Sequence, residues 1–227
     1  MEKDAPDPEA FVLCEREGRL DLRPPGESAR AGIVAAFPPD QGNAGGKQNP
    51  LVRAFGPRIT AVYDLTAGLG ADAYRLAAAG YSVRGFERNP AVYALLASGW
   101  AHAKRSGAVP GAVIERLDFE YAEAKGMMGE VQGLDVGVYF DPMYPPPKRQ
   151  SALPKRELQV LRALLPVDHT EAPAALIQAA RQRAARVVVK RPHHAEPILP
   201  GASFELESKL VRFDVYMNPE RMSEGKK

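Results

Sequence analysis

The chain has 227 residues, 45% of them apolar and 26% charged, which is the composition of a water-soluble globular protein of one ordinary domain with or without a small appendage. Thirty Lys and Arg stand against 28 Asp and Glu, and a net charge of +2 does not by itself argue for nucleic acid. The single cysteine, Cys14, excludes a disulfide framework or a metal site built from several thiolates. No apolar run is long enough for a membrane-spanning helix, and the acidic start MEKDAPDPEA is unlike a secretory signal. A soluble protein of the reducing cytoplasm is expected, with no membrane and no metal.

Residues 1–57 differ from the rest. Two short apolar runs, residues 11–13 and 32–37, lie among Pro24-Pro25-Gly26, Pro38-Pro39-Asp40 and the stretch 41–50. Turn residues at that density favour short strands, so a small β-rich N-terminal subdomain is expected over 1–57, with 42–49 as a loop.

From residue 58 strands and helices alternate. Residues 59–64 read as a buried strand, followed by an alanine-rich helix over 71–79 that Gly80 closes. Residues 81–87 form a second strand. Asn89-Pro90 then opens a helix, with Asn as its N-cap and Pro in its first turn. Val92, Leu95, Leu96, Gly99, Trp100 and Ala103 share one face of it, and Gly107 ends it. Residues 112–117 read as a third strand and 134–140 as a fourth. Helices follow over 154–165 and 171–185, the latter capped by Thr170. Residues 185–190 are a fifth strand, and 203–217 hold a terminal hairpin. Strands alternating with helices imply an α/β fold, a doubly wound and mostly parallel sheet over 58–227. Ligands in such sheets sit beyond the carboxyl ends of the strands.

The first strand ends in Asp64, and Gly68-x-Gly70-x-x-Ala73 follows. The glycines permit a tight turn and close approach of backbone to a ligand, and the helix behind them offers free N–H groups. Glu87 ends the second strand, about 20 residues on, where an acid holds a ribose diol. Together these features point to an adenosine-containing cofactor, either a nicotinamide dinucleotide or S-adenosylmethionine. Asp64 favours the second: a carboxylate repels a pyrophosphate but suits a sulfonium and an ammonium.

The fourth strand runs into Asp141-Pro142-Met143-Tyr144. This resembles the amino-methylating motif of S-adenosylmethionine-dependent methyltransferases. An exocyclic amine on a base is a poor nucleophile, because its lone pair is delocalised into the ring. Asp141 and the Pro142 region accept hydrogen bonds from it and turn the lone pair toward the methyl group, while Tyr144 stacks on the base.

Five segments carry a closer resemblance: residues 64–73, Glu87-Arg88-Asn89-Pro90, residues 139–145, residues 148–153 and residues 187–192. In this order and spacing they are similar to the ribosomal RNA small subunit methyltransferase J family of bacteria. That resemblance implies a seven-stranded class I (Rossmann-like) methyltransferase sheet and methylation of the exocyclic N2 of a guanosine in 16S ribosomal RNA, free or in the small subunit. It implies cofactor contacts from Ala71, Asp72, Glu87, Arg88 and Asp141, beside Asp64, Gly68 and Gly70, and from the turn after the third strand, where Asp118 and Phe119 stand. The family carries small hydroxyl residues at that turn, and Asp118 is assigned to the adenine amino group instead. Of the family's basic, glycine-rich run before the first strand, only residues 45–49 and Arg53 are found here.

Lys148, Arg149, Lys155 and Arg156 form a basic cluster just past the catalytic loop, suited to RNA phosphates, and Lys190 and Arg191 end the fifth strand toward the same cleft. His193 and His194 lack companion ligands and read as loop. Three rival readings stay open: the same chemistry on adenine N6 or on a protein glutamine, a nicotinamide-dependent oxidoreductase, and a non-enzymatic RNA-binding module. The oligomeric state is not legible.

Overall fold

The structure is a computed structural model, and it describes residues 11–26, 32–38, 46, 48–143, 156–165, 172–193, 195–208 and 210–218. Tyr144, Lys148, Arg149, Lys155, Thr170, His194 and most of the loop expected at 42–49 lie outside them.

A seven-stranded sheet organises the chain, in the order β5-β4-β3-β6-β7-β9-β8. β3 (Ala61–Asp64), β4 (Ser82–Glu87), β5 (Leu117–Tyr121), β6 (Val136–Phe140) and β7 (Arg186–Pro192) run parallel. The terminal hairpin, β8 (Phe204–Glu207) and β9 (Val211–Met217), joins antiparallel through β9 against β7. The sheet is therefore doubly wound and mostly parallel, as expected.

The side chains of the central strands alternate between two apolar layers. Val62, Tyr139, Val188 and Val215 point into the layer holding α1 (Pro50–Phe55) and α2 (Ala71–Ala78). Val138, Phe140, Val187 and Val189 point into the other, with Met127 of the short α5 (Ala124–Met127) and Ile177 and Ala180 of α7 (Ala172–Arg183). Such central strands read as continuous apolar runs because both faces are buried.

The N-terminal residues form a two-stranded antiparallel sheet, β1 (Val12–Arg16) and β2 (Arg19–Arg23). Leu22 and Ile33 pack with Val92 and Leu95 of α3 (Pro90–Arg105) and with Val160 and Leu164 of α6 (Arg156–Leu164). Further along, Phe37, Leu51 and Phe55 are buried in the layer beside α2. The short helix α1 was not expected. Asn49 caps it, its side chain accepting from Leu51 N at 2.9 Å.

One expected element needs correction. Residues 112–117 are not the third strand: Gly111–Ile114 form one helical turn, α4, behind Pro110. The strand is Leu117–Tyr121, five residues further on, and it is the sheet edge. The long helix α3 is as read: all six residues assigned to its buried face are buried, and Asn89 accepts from Ala91 N and Val92 N.

Gly99 lets the N-terminal segment lie directly on α3. A Cβ there would fall 2.3 Å from the carbonyl oxygen of Ala35, a backbone atom with no rotamer to escape through. Gly99→Ala is expected to destabilise the fold by about 1–3 kcal/mol, since overpacking outweighs the gain in helix propensity of about 1 kcal/mol. Urea denaturation measures it; a variant as stable as the parent would mean that this contact does not form.

Candidate functional site

The parallel register brings three acids to one end of the sheet. Asp64 of β3 lies opposite Gly85 of β4 and Tyr139 of β6. Glu87 ends β4, and Asp141 follows β6. The glycine loop crosses between them. Gly68 N donates to Glu87 Oε2 at 3.0 Å, and Asn89 N donates to Oε1 at 2.8 Å. Burial raises the pKa of Glu87, against the backbone donors at Asn89, Gly68 and Arg88 that lower it.

Gly70 is the N-cap of α2, with φ of +81° in the left-handed region. A Cβ on it would lie 2.7 Å from Leu96 and 2.9 Å from Phe119. Glycine is thus required twice over, for its backbone angle and for the packing beneath the loop.

Asp64 is 1% exposed and accepts from Thr66 N at 3.0 Å. Thr66 Oγ1 in turn accepts from Asp141 N at 2.6 Å. One threonine therefore ties the loop after β3 to the loop after β6. Burial pushes the Asp64 carboxyl well above its ordinary value, and the nearby Asp72 and Asp141 add to the rise.

Lys190 forms the centre of a charge network. Its Nζ lies 2.8 Å from Asp72 Oδ2 and 2.8 Å from Asp141 Oδ2. Asp72 Oδ2 also accepts from the Tyr139 hydroxyl at 2.7 Å, and its Oδ1 from Arg75 at 2.5 Å. Burial opposes the charge on Asp72, but the Lys190 ammonium, Arg75 and Tyr139 outweigh it and lower its pKa to about 2. Asp141 moves the other way: burial and the charge of Asp72 raise it, against Lys190. Lys190 is raised, because its two carboxylates outweigh the burial that lowers it. Asp141 Oδ1 has no partner among the described residues, and the Asp141 side chain is 34% exposed. The site thus presents one carboxylate oxygen tied down and one open.

The remaining expected residues fall as follows. Ala71 opens α2, and Arg88 is exposed just past β4. Pro142 is partly buried after Asp141. Arg156 starts α6. Asp118 and Phe119 are not at a carboxyl end, because the third parallel strand begins only at Leu117. Asp118 pairs in register with Arg84 and is exposed, while Phe119 is core, packed on Phe37 and Trp100. The turn after this strand is Ala122-Glu123. Arg191 also departs from expectation. The two-residue period of β7 puts Lys190 on the side of Val188 and Arg191 on the side of Val189. Arg191 is 9% exposed there and donates to the Glu196 carbonyl, so it does not face the cleft. Thr66 and Tyr139 belong to the site and were not singled out from sequence.

Residues 5–218 match the family model described as a putative SAM-dependent methyltransferase. A ribosomal RNA small subunit methyltransferase J of Aliivibrio fischeri is 37% identical over 224 residues, 92% of this chain and 86% of the relative. The protein of the same name from Salmonella typhi is 36% identical over 229 residues, covering 95% and 88%. That from Vibrio vulnificus is 42% identical over 187 residues, covering 77% and 71%. Among solved structures, a SAM-dependent methyltransferase of Neisseria gonorrhoeae superposes with a TM-score of 0.70 at 26% identity, over 96% of this chain and 86% of that one. Matched along nearly its whole length by such relatives, and carrying their sheet, the chain belongs to the ribosomal RNA small subunit methyltransferase J family of S-adenosylmethionine-dependent methyltransferases.

Proposed function

We propose that the chain methylates the exocyclic N2 of a guanosine in 16S ribosomal RNA, in the cytoplasm, on free RNA or the small subunit. The observation that carries this reading is Asp141: a half-open carboxylate at the carboxyl end of a buried strand, with Oδ2 held by Lys190, its backbone N held by Thr66, and Oδ1 open.

The residues fit S-adenosylmethionine by charge. Asp72 and Asp141 are already offset by Lys190 and Arg75, and the buried Asp64 carboxyl beside them is the acid that a cationic ligand would hold in its ionised form. A sulfonium and an ammonium supply such cations, whereas a pyrophosphate would add negative charge beside three carboxyl groups. This disfavours the nicotinamide reading. Glu87 would hold the ribose hydroxyls, the backbone of Gly68 to Ala71 would line the cofactor, and Asp64 would face its cationic end. Bound there, S-adenosylmethionine supplies a methyl carbon made electrophilic by the sulfonium.

The chain's own part is positioning and charge. Asp141 Oδ1 accepts a hydrogen bond from the target amine and stabilises positive character on its nitrogen. The same oxygen is the nearest base for the proton that nitrogen sheds, and the upward shift of Asp141 suits it to receive one. Pro142 locks φ in the turn that follows, and Tyr144 is assigned to stack on the base.

Incubating the protein with S-adenosylmethionine and small-subunit RNA or particles, then mapping modified nucleosides by mass spectrometry, tests the reading. N2-methylguanosine is expected at one position. Methylation of adenine N6, or of protein in the particle, would replace the proposed target while keeping the chemistry.

The basic cluster Lys148, Arg149, Lys155 and Arg156 follows Asp141 within 15 residues and is assigned to RNA phosphates. Replacing Lys148, Arg149 and Lys155 by Ala should weaken RNA binding uniformly across sequences. The salt slope should flatten by roughly 0.7–0.9 per lost phosphate contact. Equal slopes for variant and parent would remove the cluster from the interface.

A further inference from the structure

The cleft holds a cation that methyl transfer to an amine does not obviously require. Lys190 was expected to reach for RNA phosphate. Instead its ammonium is engaged at 2.8 Å by both Asp72 and Asp141, and only 24% of the side chain is exposed. Its position follows from the sheet: Lys190 shares the face of Val188, on which Tyr139 and α2 also lie. Tyr139 of β6 and Arg75, one turn further along α2, fix Asp72. Asp72 is thereby a rigid anchor for Lys190, and Lys190 is a rigid anchor for Asp141.

We propose that Lys190 is a positioning residue for methyl transfer: held by Asp72, its ammonium keeps the Asp141 carboxylate ionised and aims the open oxygen, Oδ1, at the target amine. This inference rests on the assignment of Asp141 to the target amine. Three features support it. The Lys190 contact consumes only Oδ2, so it does not compete with the amine. Without the ammonium, Asp141 would sit beside Asp72 and Asp64 in a buried cleft, where like charges and burial favour the neutral acid. A neutral carboxyl is a weaker acceptor for an amine that itself must donate, and it cannot take up the proton which that nitrogen sheds. Among the described residues, the titratable groups facing Asp141 are Lys190 from β7, Asp72 from α2 and Asp64 from β3, with Tyr139 of β6 and Arg75 of α2 one contact further away.

The sign of the pH effect follows. Lys190 opposes the rise of the Asp141 pKa, so its removal lets that pKa climb. Activity needs the ionised form, so the acid limb of the rate profile should move to higher pH in Lys190→Met, by about 1–3 units, the range for an opposite charge at contact distance. At neutral pH the single-turnover rate with saturating cofactor should fall roughly 10- to 100-fold, while RNA affinity and its salt slope stay at parent values. Lys190→Arg keeps the charge and should return the acid limb to near the parent position, and Lys190→Gln, which is also neutral but polar, serves in place of the Met variant should that one not fold.

The experiment compares parent, Lys190→Met, Lys190→Arg and Asp141→Asn by single-turnover methylation from acid to neutral pH, with RNA binding measured at several salt concentrations. A parent-like rate and acid limb in Lys190→Met, with Asp141→Asn strongly impaired, overturns the role of Lys190 and leaves that of Asp141 standing. A parent-like Asp141→Asn overturns the assignment of Asp141 and this inference with it. A Lys190→Met variant whose rate is intact but whose RNA salt slope is flattened returns Lys190 to phosphate binding and refutes the proposal. A Lys190→Arg variant as slow as Lys190→Met, with an unshifted acid limb in both, reduces Lys190 to a structural ion pair and refutes it as well.

Discussion

Asp141→Asn should lower the rate of methyl transfer by roughly 10²-fold or more, the loss of about 2.7 kcal/mol that accompanies removal of one preorganised electrostatic partner. The substitution keeps the shape of the side chain and discards its charge. The asparagine carbonyl still meets Lys190, and Thr66 still accepts from the backbone N of residue 141, so the loop keeps both its anchors. What changes is the group offered to the target amine. An amide carbonyl accepts weakly, and an amide NH2 placed toward the amine opposes it outright. The family resemblance also gives Asp141 a cofactor contact, so the comparison belongs at saturating S-adenosylmethionine and in a single turnover. Near-parent transfer by the Asn variant under those conditions would make Asp141 a structural residue and remove the basis of the proposed mechanism.

The legible part of this chain is the part where local sequence and tertiary role coincide. Asp64, the glycine loop, Glu87 and Asp141 could be grouped from sequence because each ends or follows a parallel strand, and the register does bring those strand ends together. The six-residue stripe on α3 was found because it is long enough for helical periodicity to show. The same start signal, Asn followed by Pro, opens α1 at Asn49-Pro50 and α3 at Asn89-Pro90. Only the second was read as a helix, since α1 is six residues long and lies in a stretch crowded with turn formers. The edge strand was missed for the opposite reason. Its pattern, Leu117-Asp118-Phe119-Glu120-Tyr121, alternates with period two because one face is wet, whereas the nearby run Ala112-Val113-Ile114 has the apolar continuity of a buried strand but sits in a helical turn behind Pro110. That displacement assigned Asp118 and Phe119 to the turn after the strand, whereas they lie within it.

The roles of Thr66, Tyr139 and Lys190 had no local signal. Thr66 meets Asp141 across 75 residues, and Lys190 meets Asp72 across 118. Strand alternation shows which side of the sheet Lys190 takes, but not that two carboxylates are waiting there. Its basic character next to Arg191 suggested phosphate, and only the packing of α2 against β6 and β7 turns the pair into one cleft residue and one buried residue.

Glu87→Ala should weaken binding of S-adenosylhomocysteine by about 1.5–3 kcal/mol, or roughly 10- to 150-fold in Kd. The lower figure is the loss of hydrogen bonds from ribose hydroxyls to a charged acceptor. The structure supplies a reason for the upper one. Glu87 uses one lone pair on each oxygen to hold Gly68 N and Asn89 N, so it fixes the glycine loop to the start of α3 while both oxygens keep capacity for a diol. Alanine removes the ligand contact and releases the loop together. Glu87→Gln separates the two effects: its carbonyl oxygen can serve one backbone donor, its NH2 cannot serve the other, and affinity should fall between parent and Ala. The pH dependence has a definite sign. Burial raises the Glu87 pKa above the ordinary value for glutamate, and a protonated carboxyl is a poorer acceptor for two hydroxyls. Affinity in the parent should therefore begin to drop on acidification at a higher pH than an exposed glutamate would allow, and the Gln variant should lose that part of the pH dependence. Calorimetric titration with S-adenosylhomocysteine across the acid range reads both quantities. An unchanged Kd in Glu87→Ala would mean that the ribose is held elsewhere and that Glu87 serves the loop alone.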